Sequence, residues 1–388
     1  MADVAVVQTD RPDSADAGRA LGRETAAALG GARPDALVLF ASAHYDHPTL
    51  LEALDAECRP AILIGCSSAG EFTHRGEGEG LACAMAIRSS SLQFSAGVGR
   101  GLRADRAAAA RALVSTFRGL HAHHGLYHAA LVLTDALAGH ADDLVEELTV
   151  LTAGAYRLVG GGAGSDASLG RSAVFYGTDA LTDAVVALEI VSDAPVCVGA
   201  GHGWRPASPP LRVTEVDGLR LVSLNAVPAA EVFEEHAAAT GQRFDPDDPL
   251  PFFLHNVLGI DTGQGYRLRV PLSVGPDGVV LCAAEVPRGA RVHIMETAAP
   301  STVAAAAAAG SAALGGLAGR PPAAAVFFDC MATRLRMGRA FGAELAAVRG
   351  TLGTVPLVGC NTLGQIARAD GQFSGFHNCT AVVCVLPT

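Results

Sequence analysis

Lysine is absent from this chain: its 388 residues include 28 basic side chains, and every one is arginine. That absence excludes a Schiff-base lysine, pyridoxal phosphate catalysis, a Ser–Lys dyad and a P-loop lysine together. Positive charge is also in short supply. The formal net charge of −11 is the reverse of the basic footprint that nucleic-acid binding needs. No apolar run approaches the roughly 20 residues of a membrane span, so no membrane partner is expected. The N-terminus, Met1-Ala2-Asp3 with Asp10, Asp13 and Asp16 behind it, lacks the basic-then-apolar order of a secretory signal. A cytoplasmic location is the expectation. No CxxC, HExxH or CxxCH occurs, which excludes covalent c-type haem and gives no metal signature. His121, His123 and His124 cluster in what reads as a surface turn. Nine cysteines without a close-spaced framework fit a reducing compartment. Cys83, Cys282 and Cys384 sit inside apolar strands, where core packing is the ordinary role.

What is present is a repeat. Ile64-Gly65-Cys66-Ser67-Ser68-Ala69-Gly70-Glu71 returns as Val358-Gly359-Cys360-Asn361-Thr362-Leu363-Gly364-Gln365, with a shorter Val159-Gly160-Gly161-Gly162-Ala163-Gly164 between them. Each follows a short apolar run and opens onto a polar stretch. The same order of elements leads into each. Strands are expected at residues 4–8, 36–40 and 61–64, then 93–98, 130–133 and 156–159, then 291–295, 325–328 and 355–358. Helical stretches separate them, and a further apolar strand follows each loop at 81–87, 184–190 and 380–386. Apolar runs bounded by Gly, Pro and Asp read as buried strands, and helices between them as parallel crossovers. The expected fold is therefore α/β: repeated βαβαβ-type modules with mostly parallel sheets flanked by helices, plus a smaller strand-rich insert over residues 197–288. Within the insert, residues 266–270 and 278–282 read as a hairpin around Gly275-Pro276-Asp277-Gly278, and the Asp/Pro-rich 241–251 as a linker.

These landmarks, in this order, resemble the FIST family of bacterial sensory proteins. The Gly65–Glu71 and Gly160–Asp166 stretches and Gly201-His202-Gly203-Trp204 carry the N-terminal resemblance. Asn225-Ala226-Val227-Pro228-Ala229, Asp329-Cys330 before Gly338, Val355-Pro356-Leu357-Val358-Gly359 and His377-Asn378-Cys379-Thr380 carry the C-terminal one. A FIST N-type domain over 1–224 and a FIST C-type domain over 225–388 follow. The resemblance implies a small-ligand sensory role, with amino acids as suggested ligands. It also implies that some members are haem-binding nitric oxide sensors acting on a histidine kinase. Two departures stand out: Thr333 lies where the family usually has arginine, with Arg334 next to it, and the last loop ends in Gln365 rather than glutamate.

The candidate ligand site is the cleft expected between the loops, comprising Gly65, Cys66, Ser67, Ser68, Glu71, Gly161, Gly162, Asn361, Thr362 and Gln365. His202, Arg334, His377 and Asn378 join it from neighbouring landmarks. Loops at strand ends present backbone N–H groups to the crevice where α/β folds bind ligands; tight turns with capping hydroxyls are the alternative. Arg334 offers a fork to a carboxylate and Glu71 a partner for an amine. Cys66, Cys330 and Cys360 are candidate nucleophiles of a thiol-dependent hydrolase or transferase, against the simpler role of packed small residues. His202, between two glycines and beside the only tryptophan, is the first candidate axial ligand if haem binds. With no kinase or cyclase segment in the sequence, a separate signalling partner is expected.

Overall fold

The computed structural model describes residues 2–121, 127–165, 170, 172–368 and 374–388. The chain begins β1 (Ala2–Thr9), α1 (Ser14–Ala28), β2 (Ala36–Ser42), α2 (His47–Cys58) and β3 (Leu63–Ser68). A short hairpin, β4 (Glu71–Thr73) and β5 (Glu77–Gly78), leads to β6 (Ala82–Ser89). The order then recurs: β7 (Leu92–Arg100), α3 (Arg106–Val114), β8 (Tyr127–Thr134), α4 (Ala141–Leu151), β9 (Tyr156–Gly162), the hairpin β10 (Val174–Tyr176) and β11 (Asp179–Leu181), and β12 (Ala184–Ser192). Aspartates start the helices: Asp13, Asp46 and Asp105 accept from the N–H groups of Asp16, Thr49 and Ala108 at 2.8, 3.1 and 2.8 Å, filling orphan donors of the first turn.

After β13 (Cys197–Gly201) comes the insert. It comprises β14 (Arg205–Pro206), β15 (Leu211–Asp217), β16 (Arg220–Leu224), β17 (Val227–Pro228), α5 (Ala229–Thr240) and α6 (Leu250–Phe253). It continues with β18 (Val257–Asp261), β19 (Tyr266–Arg269), β20 (Pro271–Val274), β21 (Val280–Cys282) and β22 (Arg291–Glu296). These nine strands form one sheet. The chain ends with α7 (Ala299–Gly315), β23 (Pro322–Cys330), α8 (Met331–Met337), α9 (Phe341–Leu352), β24 (Leu357–Thr362), β25 (Gln365–Arg368), β26 (Ser374–His377) and β27 (Ala381–Pro387).

Three six-stranded sheets share one layout: β1-β6-β2-β3-β10-β11, β7-β12-β8-β9-β25-β26 and β13-β27-β23-β24-β4-β5. The fold is mixed α/β, and the expectation of mostly parallel sheets is corrected. Each of these sheets holds one parallel pair, β2/β3, β8/β9 or β23/β24. The reason is the hairpin after each loop, which reverses the chain so that β6, β12 and β27 run back antiparallel between their neighbours. The expectation that residues 291–295 open the third copy is also corrected. These residues lie in the insert sheet as part of β22, and β13 takes the edge position beside β27. In the insert, β20 rather than residues 266–270 forms the hairpin with β21, while β19 pairs with β18.

Strands buried on both faces explain the unbroken apolar runs. Val38 and Phe40 point into a core shared by the three sheets, with Cys66, Leu131, Val159, Phe328 and Cys360. Leu37 and Leu39 point the other way, under α1 and α2. The other two sheets carry α3 with α4 and α7 with α9 on their outer faces.

The hairpins are exchanged. The β4–β5 hairpin docks on β24, β10–β11 on β3, and β25–β26 on β9. Register explains the repeated glycine: Gly65, Gly160 and Gly359 lie opposite Leu39, Val132 and Phe327 on the parallel neighbour, and opposite Phe175, Ile366 and Phe72 on the docked hairpin. A Cβ at these three positions would come within 2.0, 1.8 and 2.2 Å of the neighbouring strand's carbonyl oxygen. Gly359→Ala is accordingly expected to lower stability by about 2–3 kcal/mol through overpacking against Phe72 and Phe327. Urea unfolding measures it, and an unchanged midpoint would remove the glycine from this role.

Candidate functional site

The three glycine-rich stretches are strand ends joined to hairpins by turns, and those turns close on each other. Ala69 N–H donates to Asn361 O (3.0 Å), Asn361 N–H to Gly70 O (2.8 Å), Leu363 N–H to Gly162 O (3.0 Å), Gly162 N–H to Gly364 O (2.9 Å) and Gly164 N–H to Ser67 O (2.8 Å). Ser67, Ser68, Glu71, Asn361, Thr362 and Gln365 are at most 1% exposed, and Gly65, Gly161 and Gly162 are buried as well. The backbone donors expected to face a ligand thus satisfy neighbouring turns. Ser68 Oγ donates to Glu71 Oε1 (2.5 Å) and Leu81 N–H to Oε2 (2.9 Å). Burial raises the Glu71 carboxyl from 4.5 to about 8, against these hydrogen bonds and the nearby Arg334 charge. Gln365 holds the matching place three residues after Thr362, its amide oxygen 3.0 Å from Thr362 Oγ1 and 3.3 Å from Cys330 N, its amide nitrogen 3.2 Å from Thr380 O.

The open space lies to one side. A cavity of about 370 Å³ is walled by α6 and its flanks (Asp248, Leu250, Pro251, Leu254) and by Val270, Leu272 and Ala283 of the insert. Cys330, Met331, Ala332 and Leu335 at the start of α8 complete that side. Ala136 and Leu137 beyond β8, the Leu363–Gly364 turn, Thr362 and Asn378 complete the lining. Its walls are apolar apart from Cys330, Thr362, Asn378 and the single carboxylate of Asp248. Leu137 and Leu335, both lining residues, are 38% and 42% exposed.

Of the sequence candidates, Cys330, Thr362 and Asn378 line this cavity. Cys330 is 3% exposed. Its thiol is lowered from 9.0 to about 6, chiefly by the Cys379 thiol and, against burial, by the N–H groups of Cys379 and Ala332. Cys66 and Cys360 are wholly buried in the core between the sheets, where burial first, then Cys66, holds the Cys360 thiol well above its ordinary value. Arg334 turns toward the exchanged hairpin of the first sheet run. Its Nε lies 3.2 Å from Glu79 Oε1, its Nη1 3.0 Å from Asn361 Oδ1, and its guanidinium over the Phe341 ring. Neither Arg334 nor Glu71 lines this cavity. His202 Nε2 lies 2.9 Å from Tyr266 O, and Trp204 N–H donates to Nδ1. His377 is 1% exposed beside Arg267 and Arg269, and burial with those charges drives its imidazole well below its usual range. No histidine lines the cavity, so neither His202 nor His377 is placed to ligate a haem bound there. Among the described residues no cluster of three His, Cys, Asp or Glu side chains could hold a metal. His123, His124 and Asp166 lie outside the described residues.

The sequence reading missed the insert's share of the wall. One signal was available: Leu250-Pro251-Phe252-Phe253-Leu254 is an apolar cluster directly after the acidic 245–248 stretch.

The cavity thus lies where two parts of the chain meet, and those parts match two family models, the FIST N domain over residues 35–227 and the FIST C domain over 229–368. The chain belongs to the FIST family. FIST domains are in general small-ligand-binding sensory domains. Among curated relatives of this FIST protein, an uncharacterized protein of Mycobacterium tuberculosis is 26% identical over 369 residues, covering 91% of each chain. An uncharacterized protein of Mycobacterium bovis is 25% identical over 391 residues, covering 91% of this chain and 90% of its own. Cyanuric acid hydrolase from A. caulinodans aligns over 100% of this chain and 99% of its own, at 8% identity and a TM-score of 0.34. T. maritima PurL complexed with AMPPCP aligns over 100% of this chain and 72% of its own, at 12% identity and a TM-score of 0.24. Likeness at these TM-scores carries no argument about activity. No described helix is long and apolar enough to cross a membrane.

Proposed function

We propose that this FIST protein senses a small molecule with an apolar body, bound in the cavity between the insert, α8 and the Leu363–Gly364 turn. Its output passes to a separate signalling protein, such as a histidine kinase. The observation that carries the reading is the wall itself: an apolar lining with only a few convergent polar groups, the usual make-up of a small-molecule site. A free amino acid suits it poorly, because no cation among the lining residues would meet its carboxylate. Leu137 comes from residues 1–224 and Leu250, Leu272 and Leu335 from 225–388, so a bound ligand touches both parts and favours the arrangement in which they close on it.

The test is thermal stabilisation by a panel of apolar metabolites, with native mass spectrometry of what co-purifies. A ligand that binds only the folded chain raises its stability with concentration. Ala332→Phe puts a ring into the cavity and is expected to weaken that ligand about tenfold, some 1.4 kcal/mol. Binding unchanged by Ala332→Phe would move the site elsewhere.

A further inference from the structure

Two cysteines share one buried cluster at the wall of this cavity. Cys330 is the one cysteine lining it. Cys379, in the turn between β26 and β27, packs with Cys330 in one cluster that includes Trp204, Val270 and Met295. Each thiol is the largest influence on the other: Cys379 lowers the pKa of Cys330, and Cys330 raises that of Cys379. Gln365 clamps the pair through the Cys330 N–H at 3.3 Å and the Thr380 carbonyl at 3.2 Å, and Asn378, beside Cys379, reaches the same cavity. Cys379 is held at φ 48, a left-handed conformation that non-glycine residues adopt mainly where the surroundings impose it.

We propose that Cys330 and Cys379 are a redox-active dithiol that reduces a hydroperoxide with an apolar body bound in the cavity, closing to a disulfide. The proposal rests on the reading of this cavity as the ligand site. The Cys330 sulfur attacks the outer oxygen of ROOH, the O–O bond breaks, and the alkoxide takes a proton and leaves as ROH. Cys330 is then a sulfenic acid. The Cys379 sulfur attacks it, the S–O bond breaks, and hydroxide leaves as water with the Cys379 proton. One hydroperoxide and two thiols give one alcohol, one disulfide and one water, the hydroperoxide gaining the two electrons that the sulfurs lose. Cys330 is suited to the attack because its thiol ionises near neutral pH, and Cys379 is placed to resolve it. The chain supplies its own control: Cys66 and Cys360 also share one buried cluster, but at 0% exposure inside the core no peroxide reaches them.

The experiment is intact-mass analysis of the reduced full-length protein exposed to cumene hydroperoxide or to hydrogen peroxide. The expected result is loss of two hydrogens, a peptide linking Cys330 to Cys379, and a rate about tenfold higher with cumene hydroperoxide, the scale on which an apolar pocket discriminates. Cys379→Ser is expected to stop at a Cys330 sulfenic acid that dimedone traps, with Cys66→Ala behaving as wild type. No mass change in the wild-type protein, or a disulfide mapped to another pair, overturns the dithiol. Equal rates with the two peroxides overturn the apolar substrate. Stabilisation by apolar ligands without oxidation sinks the dithiol and leaves the ligand site standing. Oxidation at equal rates without any such stabilisation sinks the ligand site instead.

Discussion

Arg269→Met is expected to cost about 3–5 kcal/mol of folding stability, the range found when one partner of a buried ion pair is removed. Arg269 is 1% exposed and joins three parts of the chain. Its Nε donates to Glu285 O at 2.8 Å, and its Nη1 to Leu268 O and Phe376 O at 2.9 and 3.1 Å. Nη2 pairs with Asp142 at the start of α4. The substitution takes a donor from three carbonyl oxygens and the cationic partner at Nη2 from Asp142, which keeps Arg267 and the Phe376 N–H; methionine fills much of the volume but replaces none of these bonds. Urea unfolding measures the loss. A loss below about 1 kcal/mol, the scale of an exposed pair, would show that water reaches these groups. A second readout follows from position: Val270 is the next residue and lines the cavity, so ligand affinity is expected to fall in the same variant.

Arg269 also shows why the sequence told only part of the story. Its partners lie 127 and 107 positions away, and residues 266–270 read in the sequence only as one strand of a hairpin. Local patterns were legible wherever one face or one turn decided the outcome. The apolar runs around Val38, Val132 and Val326 are strands buried on both faces, as their unbroken hydrophobicity demands. Exchange of hairpins between sheets was not legible, because Phe72, Phe175 and Ile366 look like ordinary strand residues until their glycine partners in another sheet are known. The same exchange decides where the loop donors go. Glycine, serine and threonine at strand ends read as a ligand-binding loop, yet the three turns spend their N–H groups on each other. Cys330 was named for its place at the end of a strand, and that place does open onto the cavity.

Glu71 is expected to tilt the stability of the whole protein against rising pH. Its carboxyl is raised from 4.5 to about 8, first by burial. Between those values the folded chain holds a proton that the unfolded chain has released, so stability falls as pH climbs, by about 1.4 kcal/mol per pH unit for one such group, and levels above pH 8. The contribution is present in full below the unfolded value and is lost by the time the folded value is passed. Glu71→Gln removes this proton and should flatten the profile by about that slope, leaving the variant the more stable protein near pH 8. The substitution is geometrically mild: an amide can accept from Leu81 N–H and donate to Ser68 Oγ, the two partners the carboxyl now has. Gln365 already occupies the matching place beside Thr362. Glu344, also raised to about 8 by burial, adds slope of the same sign in both proteins, so the difference between the two profiles isolates Glu71. Urea midpoints measured from pH 5.5 to 8 decide it, and parallel profiles for wild type and variant would mean that Glu71 is ionised in the folded chain.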